Sequence, residues 1–146
     1  MICFFIFAIL IPLIDLSIKF WIQNNICENT ALGTILPFFS ITYVKNFGAA
    51  LSLFSGGRYF LIITSVLAIL LLLYAIFIKK IKDKLFLLAS SFVIGGGIGN
   101  LVDRIFLGYV VDYLKISFFP PVCNISDYFI TFGMIIFAFY FLIKKD

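Results

Sequence analysis

Apolar positions dominate this chain in long runs rather than in alternation. Three stretches carry no charge at all: Tyr59 to Ile78, Leu85 to Val102 and Tyr128 to Ile143. Each comes close to the roughly 20 residues that cross a bilayer's hydrocarbon core as a helix. A fourth run, Ile2 to Ile26, is broken only by Asp15 and Lys19. The pattern predicts an all-α membrane protein of four spans, at about 2–22, 59–78, 85–103 and 126–143, forming a single membrane-embedded domain over 1–146. The first run could also be read as a cleavable signal peptide. It lacks a basic leading segment and carries Asp15 and Lys19 where a cleavage region belongs, so a span is the expectation.

The polar residues between the runs set the orientation. Lys79, Lys80, Lys82 and Lys84 separate the second and third spans, and Lys144 and Lys145 follow the fourth. Basic residues concentrate in cytoplasmic loops, so both termini are expected inside, with residues 23–57 and 104–124 on the extracytoplasmic side. The first of these outer segments is rich in β-branched and aromatic residues, and Phe38-Phe39-Ser40-Ile41-Thr42-Tyr43-Val44 predicts a short strand. A small sheet on the membrane surface would suit a long peptide or lipid-linked substrate entering from the side. A plain connecting loop is the alternative.

Composition narrows the chemistry. Of the 146 residues 64% are hydrophobic and 12% charged, with a mean hydropathy of +1.20, which excludes a soluble domain. The net charge of +4 resides in the loop lysines, so no nucleic-acid partner is implied. Histidine is absent from the sequence, which removes Ser-His-Asp and Cys-His catalysis and His-based metal sites. Cys3, Cys27 and Cys123 show no ligand spacing, and neither metal nor cofactor is expected. Carboxylates, Lys, Ser, Tyr and backbone groups remain.

Ionisable groups in a span cost several kcal/mol unless paired or facing water, so each one is a functional candidate. Asp15, Asp103, Asp112 and Asp127 lie in or at the ends of apolar segments, all toward the predicted outer face. Asp15 and Lys19 share a helical face at a spacing of four, and a structural ion pair is the preferred reading over direct chemistry. Gly95-Gly96-Gly97-Ile98-Gly99-Asn100-Leu101-Val102-Asp103-Arg104 has neither the P-loop nor the dinucleotide spacing. Ser91, Gly95 and Gly99 instead repeat every four residues as a helix-packing face, which delivers Asn100, Asp103 and Arg104 to the membrane boundary. Asp103 reads as structural. Asp112 and Asp127 bracket a segment of 14 residues containing Pro120 and Pro121, read here as a loop that brings the outer ends of the third and fourth spans together. Either aspartate alone could cap a helix. Facing each other they cannot easily both ionise, which leaves one acid and one base at neutral pH, the minimal equipment for activating water on a peptide bond.

Five blocks in order then resemble one family: Asp15-x-x-x-Lys19, Asn46-Phe47-Gly48-Ala49-Ala50, Gly96-Gly97-Ile98-Gly99-Asn100-Leu101-Val102-Asp103-Arg104, Gly108-Tyr109-Val110-Val111-Asp112 and Asn124-Ile125-Ser126-Asp127. Together they resemble signal peptidase II, the bacterial prolipoprotein signal peptidase. The resemblance implies four transmembrane helices, a small extracytoplasmic β-cradle, a periplasmic helix, no metal, and a place in the bacterial cytoplasmic membrane. It implies that Asp112 and Asp127 form a catalytic dyad, that Asn46, Gly48, Asn100, Arg104 and Asn124 contact substrate or shape the site, and that Asp15, Lys19 and Asp103 support the fold. The implied substrate is a lipoprotein precursor cut just before a diacylglyceryl-modified cysteine, and a monomer among membrane lipids is expected. Two departures flank the dyad: Cys123 and Ser126 stand where the family motif usually has Phe and Ala, and Leu51 replaces a common Phe.

The expected reaction is general acid–base hydrolysis without a covalent intermediate. The rival is a small ion or proton-coupled transporter, whose acids would sit near the midplane with access from both sides. The short length, the absence of an inverted repeat and the grouping of aspartates at one face count against it.

Overall fold

A computed structural model describes residues 1–34, 36–48 and 56–144. Four helices, α1 (Ile2–Asn25), α2 (Arg58–Phe77), α3 (Lys84–Phe106) and α4 (Ile125–Ile143), are each long and apolar enough to cross a membrane. Four strands, β1 (Ala31–Gly33), β2 (Phe39–Asn46), β3 (Val110–Ile116) and β4 (Phe119–Cys123), form one antiparallel sheet in chain order.

α3 is the axis of the bundle. In its most apolar window 56% of residues are buried, against 11% in α2, which packs mainly on α3, meets α1 through Phe77 against Phe4 and Phe5, and turns Leu71 and its neighbours outward. Outward apolar surface is stable only against lipid, so the chain is a multi-pass membrane protein. Close approach depends on small residues, since no hydrophobic drive separates helix from lipid. A Cβ on Gly95 would lie 3.0 Å from the Ile11 Cβ on α1, and one on Gly96 would press into the Ser126 carbonyl on α4. α4 reciprocates at Gly133, where a Cβ would sit 2.9 Å from the Ala89 carbonyl oxygen. α1 buries Phe4, Ile11, Asp15, Lys19 and Ile22, a stripe at helical spacing that carries the first ion pair into the bundle.

The sheet grows from both inter-helix segments at one end of the bundle. β2 has the β-branched and aromatic content expected of a strand, while β3 and β4 occupy the stretch read as a loop from sequence. Two features concealed them. Val110, Val111, Asp112 and Tyr113 are all buried, so β3 shows no alternation, and Pro120 and Pro121 argue against a strand in general. β4 is an edge strand, the one place where missing amide donors are tolerated. Gly108, at φ +85°, ends α3 and turns the chain into β3, with its N–H on the Asp103 carbonyl at 3.2 Å. Among the described residues no helix follows β2 before α2; residues 49–55, including Ala49, Ala50 and the Leu51 departure, lie outside them.

Candidate active site

Each candidate side chain is set by the element beneath it. β3 pairs with β2 so that Val44 faces Asp112 and Asn46 faces Val110, which places Asn46 and Asp112 on one face of the sheet. Asn46 Nδ2 donates to Asp112 Oδ2 at 2.8 Å. Its amide orientation is fixed because its Oδ1 accepts from the Gly48 N–H at 2.9 Å, and the Gly48 carbonyl in turn accepts from Arg104 Nη2 at 2.9 Å.

Asn124 joins the two carboxylates. As N-cap of α4 its Oδ1 accepts from the Asp127 N–H at 2.9 Å, while Asp127 Oδ2 accepts from the Asn124 N–H at 3.1 Å, a reciprocal capping box. With Oδ1 so engaged, Asn124 Nδ2 points the other way and donates to Asp112 Oδ1 at 2.7 Å. The remaining Asp127 oxygen accepts from Asn100 Nδ2 at 2.8 Å. Asp112 thus accepts from two amides and Asp127 from one amide and one backbone N–H, and among the described residues neither forms an ion pair. Asp112 is 2% exposed; burial first, and then the nearby Asp127 carboxylate, push its pKa up to about 7 against the pull of Asn46 and Asn124.

A second network lies behind the first. Lys19 Nζ contacts Asp15 Oδ2 at 2.7 Å and Asp103 Oδ2 at 3.0 Å, and donates to Asn100 Oδ1 at 2.9 Å. Asp103 Oδ2 also accepts from the Val111 N–H at 3.0 Å, anchoring β3 to α3. Burial and Asp15 hold the Tyr113 phenol well above its ordinary range, so it remains a donor.

A cavity of about 550 Å³ opens between α2, α3, α4 and the sheet, with Asp127, Asn100 and Arg104 on its wall beside apolar Val110, Val122 and Ile130. A smaller one of about 300 Å³ reaches Asp112 and Asn46, and both share Asn46, Pro121 and Val122. The pair of carboxylates therefore lies where two openings meet, one of them largely apolar. This arrangement can hold an extended peptide against two acids while an apolar group occupies the space between helices.

Comparison with known proteins agrees in kind. The family model for signal peptidase (SPase) II matches residues 7–143. The chain belongs to the signal peptidase II family. It is 44% identical to the lipoprotein signal peptidase of Caldicellulosiruptor bescii over 88% of this chain and 78% of that one. It is 36% identical to that of Clostridium tetani over 92% and 88%. A structure described as a bacterial membrane enzyme aligns over 99% of this chain and 90% of its own, with a TM-score of 0.92 at 26% identity. Membership sets aside the transporter reading.

The structure gathers all ten sequence candidates into contiguous networks: Asp112, Asp127, Asn46, Gly48, Asn100, Arg104 and Asn124 in one, and Asp15, Lys19 and Asp103 in the other, joined at Asn100. Sequence reasoning missed Tyr113, whose hydroxyl donates to Asp15 Oδ1 at 2.9 Å, and the part played by Ser126, whose Oγ donates to Asp15 Oδ2 at 2.7 Å. Cys123 lines the larger cavity, and burial with the nearby aspartates pushes its thiol up to about 11. Once β3 is recognised as a strand, a polar hydroxyl next to Asp112 is a signal; before that it is one more aromatic in an apolar run.

Proposed function

We propose that Asp112 and Asp127 are the catalytic dyad of this lipoprotein signal peptidase, an aspartic endopeptidase. The observation that carries the reading is the sharing of Asn124: its side-chain amide holds Asp112 at 2.7 Å and its backbone N–H holds Asp127 at 3.1 Å, at the meeting of the two cavities. Asp127 sits in the first turn of α4, where the helix dipole favours a carboxylate, and Asp112 is buried with a pKa near 7. Asp127 is the base and Asp112 the acid. Asp127 takes a proton from water as its oxygen attacks the scissile carbonyl, and Asp112 passes its proton to the carbonyl oxygen. Collapse of the tetrahedral species breaks the C–N bond, the amine leaves with the proton held by Asp127, and Asp112 regains its own. Asn46, Gly48, Asn100, Arg104 and Asn124 shape the site and meet substrate.

The substrate is a prolipoprotein whose cysteine already bears diacylglycerol, and its acyl chains occupy the apolar cavity and the lipid beside it, holding the peptide for attack. In this reading the chain acts as a monomer and a single peptidase domain, both termini are cytoplasmic, and the sheet is an extracytoplasmic cradle, with a periplasmic helix beside it. The test is cleavage of a diacylglyceryl-modified lipobox peptide by purified protein in detergent. Asp112→Asn and Asp127→Asn should abolish it while remaining folded, and chelators should leave the wild type untouched. Cleavage surviving in either variant overturns the site.

A further inference from the structure

Asp15 reaches toward both dyad aspartates through their sequence neighbours. Tyr113, the residue after Asp112 on β3, donates its hydroxyl to Asp15 Oδ1 at 2.9 Å. Ser126, the residue before Asp127 on α4, donates to Asp15 Oδ2 at 2.7 Å. The Tyr113 oxygen also accepts from the Ile125 N–H, the first residue of α4, at 3.3 Å. Asp15, Ser126 and Tyr113 are 0%, 0% and 2% exposed, so water does not compete for these bonds.

We infer that Asp15 is a positioning residue of the peptidase: its carboxylate clamps the Tyr113 and Ser126 hydroxyls and thereby sets the separation of Asp112 and Asp127. A carboxylate is planar and rigid, so two hydroxyls on its two oxygens tie β3 and α4 to one fixed reference on α1. Along the chain, Asp112 and Asp127 are linked only through the β3–β4 hairpin, whose outer strand is an edge. Neutralising Lys19 does not require the hydroxyls, because Lys19 already contacts Asp15, Asp103 and Asn100. Gly99 leaves the room for the serine arm: a Cβ there would collide with Ser126 Oγ and lie 3.0 Å from Asp15 Oδ2. The alanine usual in the family motif cannot form this arm, so the two-armed clamp depends on the serine of this chain.

The inference rests on the dyad reading, and the experiment separates the two. Ser126→Ala and Tyr113→Phe each remove one oxygen and leave both aspartates in place. In the peptide cleavage assay each should lower kcat roughly 3- to 10-fold, the share of a charge-assisted hydrogen bond that reaches the transition state, with KM changed less than about twofold. The double variant should lose less than the product of the two, because either loss already frees the pair. Ser17→Ala, which removes an exposed hydroxyl on the same helix bonded to its own Leu13 carbonyl, should match the wild type. Unchanged kcat in both variants, or a lower melting temperature with kcat per folded molecule intact, overturns the clamp. Retained cleavage in Asp112→Asn or Asp127→Asn overturns the dyad instead.

Discussion

Two pairs of aspartates lie in one connected hydrogen-bond network, and what separates the members of each pair differs. Between Asp15 and Asp103 stands the Lys19 ammonium, within 3.0 Å of both. Between Asp112 and Asp127 stands the Asn124 amide, and among the described residues no cation pairs with either. A cation between carboxylates offsets their mutual repulsion and ties both in place. A neutral amide satisfies lone pairs without supplying charge, so the pair must share the cost of ionisation, and one proton is retained near neutral pH. The same residue type is thereby a strut in one place and a chemical group in the other.

Asp112→Asn or Asp127→Asn should cut kcat by at least about 1,000-fold, within the range of general acid–base catalysis, and leave the melting temperature in detergent nearly unchanged. Lys19→Met should do the reverse first. It strands two buried carboxylates, a loss of about 3–5 kcal/mol, read as a large drop in melting temperature or in folded yield. A Lys19→Met protein as stable as wild type would show that the strut is not one.

Hydropathy made the membrane helices legible because lipid leaves a helix little choice of composition. Asp15 with Lys19, and the run from Gly95 to Arg104, were readable for the same reason, as polar exceptions in an apolar setting that demands partners. The acid pair was legible as a pair but not its geometry. β3 is buried on both faces and has lost the alternation that announces a strand, and β4 carries two prolines that only its edge position permits. Asn124 offered no charge or periodicity to mark it, and only the family resemblance pointed to it, yet it bonds both carboxylates. Tyr113 and Ser126 became visible only when chain segments 98 and 111 residues from Asp15 were brought against it.

The raised Asp112 pKa, about 7, means that its proton is lost as pH climbs past neutrality, so kcat should fall on that side. Linkage has the same sign: because the folded value lies above the ordinary value of 3.8, the protonated form's contribution to stability is complete below 3.8 and is lost as pH rises through about 7. Asn46→Ala removes a donor that favours the ionised form, so the alkaline limb of the pH–kcat profile should move upward, by less than about one unit. A limb that stays fixed would mean that another group holds the working proton.

The smallest effect belongs to the rim that neither pair touches. Cys123 lines the larger cavity where the family motif usually carries Phe, and its thiol, pushed up to about 11, is neither a nucleophile nor a proton donor at neutral pH. Its contribution is therefore space. Cys123→Phe should fill part of the roughly 550 Å³ cavity beside Asp127 and raise KM for the lipidated peptide a few-fold, a change worth roughly 1 kcal/mol, while kcat holds. If kcat falls instead, the ring has displaced Asp127, and the cavity wall shares in holding the dyad that Asn124 and Asn100 otherwise fix.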